Sequence, residues 1–432
     1  MHYMMTDRFR SLGPSFFLLQ TGTSLSQISG HIFRLALAWW CLKETNSAVA
    51  FSSLIAFSVA AEVYLKPFLA SLGDQFNRVK FIFICQIFIL AIMSLFCLAG
   101  AGGKFHMAAV TVGLISMSAV IAVREPTIMG LIPDLVEEGA VSQAISRRSA
   151  INSVIMLTGP VIAATLISFV SIGFALFTAA LLQSSSALTF LRLIGKGSLT
   201  ASAICEHESW FSKTRGGFTA MYRVKPELHI AMISALINFT MFPFFSVTVP
   251  YWISSELHLS ASYLGAYEFS FALGLLTGSL YLNTLLQSCI GRFWNVVTGF
   301  LLLGCSVIGT VLASTIYLSI GLAFFSGLAF IFINVNLSTL RATATPGNYR
   351  TRMSAMATFL SSLANPFGVI IAGWYMHWLG VIPFAVLSGI AVILVAPVLL
   401  LSWHLKNALS LEEAEMKGYY AKNYPDAFTE RG

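Results

Sequence analysis

Arg192-Leu-Ile-Gly-Lys-Gly-Ser-Leu-Thr-Ala-Ser-Ala-Ile-Cys-Glu-His-Glu-Ser-Trp-Phe-Ser-Lys-Thr-Arg-Gly-Gly-Phe-Thr-Ala-Met-Tyr-Arg-Val-Lys225 is a polar, basic segment standing between two blocks of long apolar runs. Before it lie apolar stretches at about 15–42, 48–72, 81–101, 107–123, 149–170 and 172–194; after it lie stretches at about 227–252, 262–286, 293–314, 316–340, 353–377 and 382–404. A helix of roughly 20 residues crosses a hydrocarbon core, so the sequence predicts about twelve transmembrane helices in two groups of six. Charged residues make up 10% of the chain and hydrophobic residues 57%, against about 25% charged in soluble domains. No water-soluble core could bury that much apolar surface.

The spans and their short loops use nearly all of the 432 residues, which leaves no room for a separate soluble catalytic domain. The function is therefore expected within the bundle, and the chain is not expected to be an enzyme. The first residues, with Asp7, Arg8 and Arg10, show no small-residue cleavage site and predict no removable signal. With the N-terminus inside, about 21 of the 25 Lys and Arg fall on the cytoplasmic side. Both termini are then cytoplasmic, and the net charge of +7 reads as membrane sidedness rather than nucleic-acid binding. Of the six cysteines only Cys41 approaches an outer loop, so no disulfide is expected.

Four regions follow: 1–195, an N-terminal six-helix bundle; 196–226, a cytoplasmic linker; 227–404, a second six-helix bundle; and 405–432, a cytoplasmic tail expected to be mobile apart from a short helix over Leu411 to Lys417. Within the linker, Trp210, Phe211, Thr214, Phe218, Met221 and Tyr222 recur at helical spacing beside Lys213, Arg215 and Arg223, the pattern of an amphipathic helix lying on lipid headgroups. The two bundles echo each other. Helix 5 runs Arg148-Ser-Ala-Ile-Asn-Ser toward Gly159-Pro160, and helix 11 runs Arg352-Met-Ser-Ala-Met-Ala toward Asn365-Pro366-Phe-Gly368. A parallel repeat with a central site is a standard solution to alternating access, so the pattern points to transport.

The loop between helices 2 and 3, Ala70-Ser-Leu-Gly73-Asp74-Gln-Phe-Asn-Arg78-Val-Lys80, resembles the signature of the major facilitator superfamily. Asp74, Arg78 and Lys80 match it; Ala70, Gln75 and Asn77 depart mildly. Arg124-Glu-Pro126 through Pro133-Asp-Leu-Val136, Val141-Ser-Gln-Ala144 and Gly159-Pro160 resemble the bacterial branch that contains the enterobactin exporter and macrolide efflux permeases. Gly159-Pro160-Val-Ile-Ala163-Ala164 is also similar to an exporter signature, with Ala for its two final glycines. The resemblance implies an all-α major facilitator fold in the bacterial inner membrane. It also implies a latch in which Asp74 faces the start of helix 11 with Arg78, Lys80 and Arg124 nearby, Arg124 being read at the end of helix 4.

Ionisable residues inside spans are costly, at least ~2.5 kcal/mol each on insertion scales, and so mark function or pairing. Glu62 and Lys66 stand one turn apart on helix 2, as a mutually neutralising pair or as a coupling carboxylate and its tuner. Arg34 on helix 1 and Glu268 on helix 8 lie at matching depth and could form an outer gate, and His31 is near Arg34 in sequence. No spacing of His, Cys, Asp or Glu predicts a metal site, and no phosphate loop predicts ATP as a driving ligand. No cofactor is expected. The residues and the resemblance together predict a monomeric secondary exporter, working as a proton antiporter for an amphiphilic molecule such as a siderophore or macrolide-like drug. An uptake permease or lysolipid transporter of the same fold, or a non-transporting receptor, would share the same features.

Overall fold

The computed structural model describes residues 12–69, 76–101, 105–137, 140–195, 218–219 and 221–428. Among these there are twelve long helices and no strand. The first series is α1 (Gly13–Thr45), α2 (Ala48–Leu69), α3 (Arg78–Ala101), α4 (Met107–Leu135), α5 (Val141–Phe169) and α6 (Ile172–Gly195). The second is α7 (Lys225–Glu256), α8 (261–290), α9 (292–312), α10 (Ile316–Ala344), α11 (Gly347–Leu363 continued by Asn365–Leu379) and α12 (Val381–Leu401). Gly291, at φ 78°, separates α8 from α9. Ten described runs are apolar and long enough to cross a membrane, with α8 and α9 counted as one. α1 is left out of that ten because its buried face carries Gln20, Thr23, Ser26 and Ser29.

By its contacts the chain divides into two compact units, Met1–Ala203 with Pro250–Gly265, and Ile204–Val249 with Ala266–Gly432. In the first, α1 packs on α5 and α6, α3 on α6, and α2 on α4. In the second, α7 packs on α11, α9 on α10 and on α12. Adding six to each helix number turns the α1–α5 and α3–α6 contacts into α7–α11 and α9–α12, so the repeat faintly visible in helices 5 and 11 extends to the packing. Large side chains such as Leu95, Leu98, Phe169, Leu280, Tyr317 and Trp378 remain exposed, as lipid-facing positions of a membrane bundle do.

α4 and α5 are longer than their apolar runs. α4 continues through Pro126 and Pro133 to Leu135, since a membrane helix bears an internal proline when side chains supply the lost bonding. The Thr127 hydroxyl bonds back to the Val123 carbonyl at 2.9 Å. α5 starts at Val141, one turn and more before the sequence becomes continuously apolar.

The tail also differs from expectation. Instead of being mobile it folds back on the second unit as α13 (Trp403–Ser410), α14 (Glu413–Met416) and α15 (Tyr419–Asn423). Leu405, Leu409, Met416 and Tyr420 are fully buried. Arg292 donates to the Met416 sulfur at 2.9 Å, and the Gly418 amide donates to Thr343 O at 3.2 Å. Tyr420 Oη donates to Glu227 Oε2 at 3.2 Å, and Glu227, buried in the first turn of α7, also pairs with Arg341 at the end of α10. Burial and the neighbouring carboxylate hold the Tyr420 phenol well above its ordinary value, so it remains a neutral donor. Of the linker, Met221 is buried in a cluster with Ala231, Met356 and Ala357; Trp210, Phe211 and Thr214 lie outside the described residues.

Tyr420→Phe, which removes one hydrogen bond to a buried carboxylate, should cost about 1–2 kcal/mol. Tyr420→Ala, which also empties an aromatic site, should cost about 3–5 kcal/mol. Thermal unfolding in detergent checks the order, and equal unfolding temperatures for wild type and both variants would show that the tail adds nothing to stability.

Candidate functional site

Buried hydroxyls and amides in a membrane helix must find partners within the protein, and α1 supplies several on one face. Ser26 donates to Gln86 Oε1 of α3 at 3.2 Å, and Gln86 Nε2 donates to Ser186 of α6 at 3.1 Å. Gln183 Nε2 donates to Gln86 Oε1 at 2.7 Å, while Ser186 donates to Gly22 O at 2.6 Å. α1, α3 and α6 are thereby joined by a polar seam that all-apolar packing would not need.

Two arginines enter this seam. Arg124 of α4 donates through Nη1 to Ser26 Oγ at 2.7 Å and through Nη2 to Glu125 Oε1 at 2.8 Å. Arg148 of α5 donates through Nη1 to Thr23 Oγ1 at 3.0 Å and through Nη2 to Glu125 Oε2 at 3.2 Å. The arginine side chains are 5% and 4% exposed, and Glu125 is 32% exposed. One carboxylate, open on one side, thus spans two buried guanidiniums, a charge-assisted arrangement in which each ion keeps a partner.

Arg124 does not stand at the end of its helix. It lies eleven residues before Leu135, roughly 16 Å along the helix, because Pro126 kinks the chain without stopping it. What closes the inner end of α4 is Arg78, which donates to Gly130 O and to Asp134 Oδ2, each at 3.0 Å. The backbone amide of Lys80 donates to Asn77 Oδ1 at 3.1 Å. Asp74, the acid of the expected latch, lies outside the described residues.

Glu62 and Lys66 form no direct ion pair with each other; each acts on the cluster instead. Glu62 acts electrostatically on Arg34, which also feels Arg124 and Glu125, and Lys66 acts on Glu125. Arg34 makes a hydrogen bond to Gly30 O at 3.3 Å. Arg34 and Lys66 are exposed and Glu62 and Glu125 half-buried, so the cluster has an open, charged side. Glu268 lies half-buried on α8 in the second unit.

His31 sits at the motif on α5. A Cβ placed on Gly159 would come within 2.9 Å of its ring, so the glycine provides the space the imidazole fills. One turn on, Ala163 and Ala164 are buried, and Ala164 lies where a Cβ on Gly265 would be 2.5 Å away. Pro160 thus stands between two close approaches. Among the described residues no group of His, Cys, Asp and Glu could hold a metal.

Sequence reasoning missed Glu125, Arg148 and Asp134 as site residues. The signal was present in Arg124-Glu-Pro126, but ending the apolar run of helix 4 near residue 123 left Glu125 and Asp134 in a loop, and Arg148 was read only as the start of helix 5.

The described helices share the fold of solved major facilitator transporters, and ten runs among them are apolar and long enough to cross a bilayer. Residues 231–418 match the profile of the Major Facilitator Superfamily. Across 398 residues the chain is 20% identical to macrolide efflux protein A of Streptococcus pyogenes, covering 90% of this chain and 96% of that protein. It is also 20% identical over 358 residues to the MFS-type transporter YvqJ of Bacillus subtilis, covering 82% and 84%. Among solved structures, a peptide transporter POT superposes with a TM-score of 0.71 at 12% identity, covering 92% of this chain and 96% of that one.

Gly159→Ala should destabilise the protein by about 1–3 kcal/mol through overpacking against His31, and adding His31→Ala should restore most of the loss. Unfolding midpoints of the two single variants and the double variant measure this; additive losses would show that the ring and the glycine do not share the space.

Proposed function

We propose that the chain is a secondary active exporter that exchanges protons for an amphiphilic small molecule, such as a siderophore or macrolide-like compound, across a bacterial plasma membrane. In this reading the protein works as a monomer with both termini in the cytoplasm. The observation that carries the reading is the open charged cluster of Arg34, Glu62, Lys66 and Glu125 within a transporter fold. Such charges are expensive inside a bilayer unless a substrate or ion path needs them. The near full-length similarity to a macrolide efflux protein supports export over uptake.

Of the two carboxylates in the cluster, Glu125 is committed to two arginines, whereas Glu62 has no ion pair among the described residues and acts on Arg34 electrostatically. Glu62 is therefore the group whose charge can change with least disruption, and we assign it the coupling proton. In proteoliposomes, Glu62→Gln should abolish macrolide movement driven by a pH gradient yet leave equilibrium exchange largely intact, because exchange needs no protonation cycle. Gradient-driven transport at the wild-type rate by this variant would exclude Glu62 as the carrier.

A further inference from the structure

The ends of α1 and α5 and the segment joining α7 to α8 form a cavity of about 560 Å³, all of whose lining belongs to the first unit. Small-molecule sites are commonly of that size, roughly 300–1,000 Å³, with apolar walls and a few convergent polar groups. Trp39, Leu42 and Ile167 supply the apolar wall and are themselves almost wholly buried. Lys43, Asn46, Ser254 and His258 line the rest, and none of these four side chains has a hydrogen-bond or ionic partner among the described residues. The hydroxyl of Ser168, in the same lining, is buried and equally without a partner there. Polar groups in a folded chain are normally satisfied, so five such side chains around one cavity call for something to bind.

The backbone singles out the same place. Among the described residues the non-glycine positions with left-handed backbone are Asn46, at φ 43°, and His258, at φ 52°, and both line this cavity. That conformation is costly outside glycine and gathers at binding sites. It also closes the helices: the Asn46 amide donates to Leu42 O, and the Leu257 and Leu259 amides donate to Trp252 O and Ile253 O, each at 2.9 Å. With those carbonyls occupied, the helix ends offer a ligand fewer acceptors, while the Lys43 ammonium and the Asn46 amide remain as donors. No carboxylate lines the cavity. Glu44, the neighbour of Lys43, accepts instead from Trp40 Nε1 at 3.3 Å.

We propose that this cavity is a binding site for a small acid-bearing amphiphile, its acid group held by Lys43 and Asn46 and its apolar body laid against Trp39. Lys43 follows Ser26 by seventeen residues, roughly 26 Å along α1, so the site is distinct from the one built on Arg124, Glu125 and Arg148. It stands on the cavity and its lining, and needs neither a direction of transport nor a coupling ion.

Two probes with one apolar body and opposite charge, 2-naphthoate and 2-naphthylmethylammonium, test it by calorimetric titration of the purified full chain in lipid nanodiscs. Naphthoate should bind at one site per chain and more tightly than the ammonium. Lys43 and Asn46 are exposed, and glycine takes the left-handed backbone of residue 46 without strain. Lys43→Gln and Asn46→Gly should therefore fold as the wild type does, which gel filtration checks. The first should weaken naphthoate binding about tenfold and the second about threefold. Absence of naphthoate binding, equal or tighter binding of the ammonium, or wild-type affinity in both variants would overturn the proposal.

Discussion

One carboxylate determines how the first unit can be built. Arg124 and Arg148 come from different helices and are each almost wholly buried. Two guanidiniums in such a place repel one another and have left their water behind, a combination that a protein tolerates only with a counter-ion in contact. Glu125 meets that need with one oxygen to each. The seam of Ser26, Gln86, Gln183 and Ser186 then fixes where Arg124 must lie, and Thr23 does the same for Arg148. α1, α3, α4, α5 and α6 therefore answer to one charged group, and a change in its ionic partners would be felt by all of them.

The second unit joins three of its helices through a neutral seam. Its buried asparagines join α8, α9 and α10 through side-chain hydrogen bonds, and the ion pair of Glu227 with Arg341 sits at helix ends beneath the folded tail. The two halves of the repeat keep the same helix contacts while differing in electrostatics.

The helices and their two groups were legible because hydropathy over about 20 residues is the strongest signal a membrane chain carries. The loop ending in Arg78 and Lys80 pointed to the superfamily. The site was less legible. Arg34, Glu62 and Lys66 stood out because they interrupt apolar runs, but Glu125 and Arg148 sit where α4 and α5 extend beyond theirs. Partners also resist reading from sequence alone: Arg124 and Arg148, from different helices, meet on one carboxylate, Glu125. The tail was misread because its composition is polar, while the few residues that dock it, Leu405, Met416 and Tyr420, are apolar or aromatic.

The central claim is that the buried charges of the first unit are kept for transport and not for stability. The direct measurement compares Glu125→Gln with a triple variant in which Arg124, Glu125 and Arg148 are all replaced by Gln, following unfolding midpoint and flux in proteoliposomes. Glu125→Gln alone should destabilise the protein by about 3 kcal/mol, since two buried cations lose their anion, while the triple variant should recover most of that stability yet transport nothing. A triple variant that transports at the wild-type rate would contradict the account.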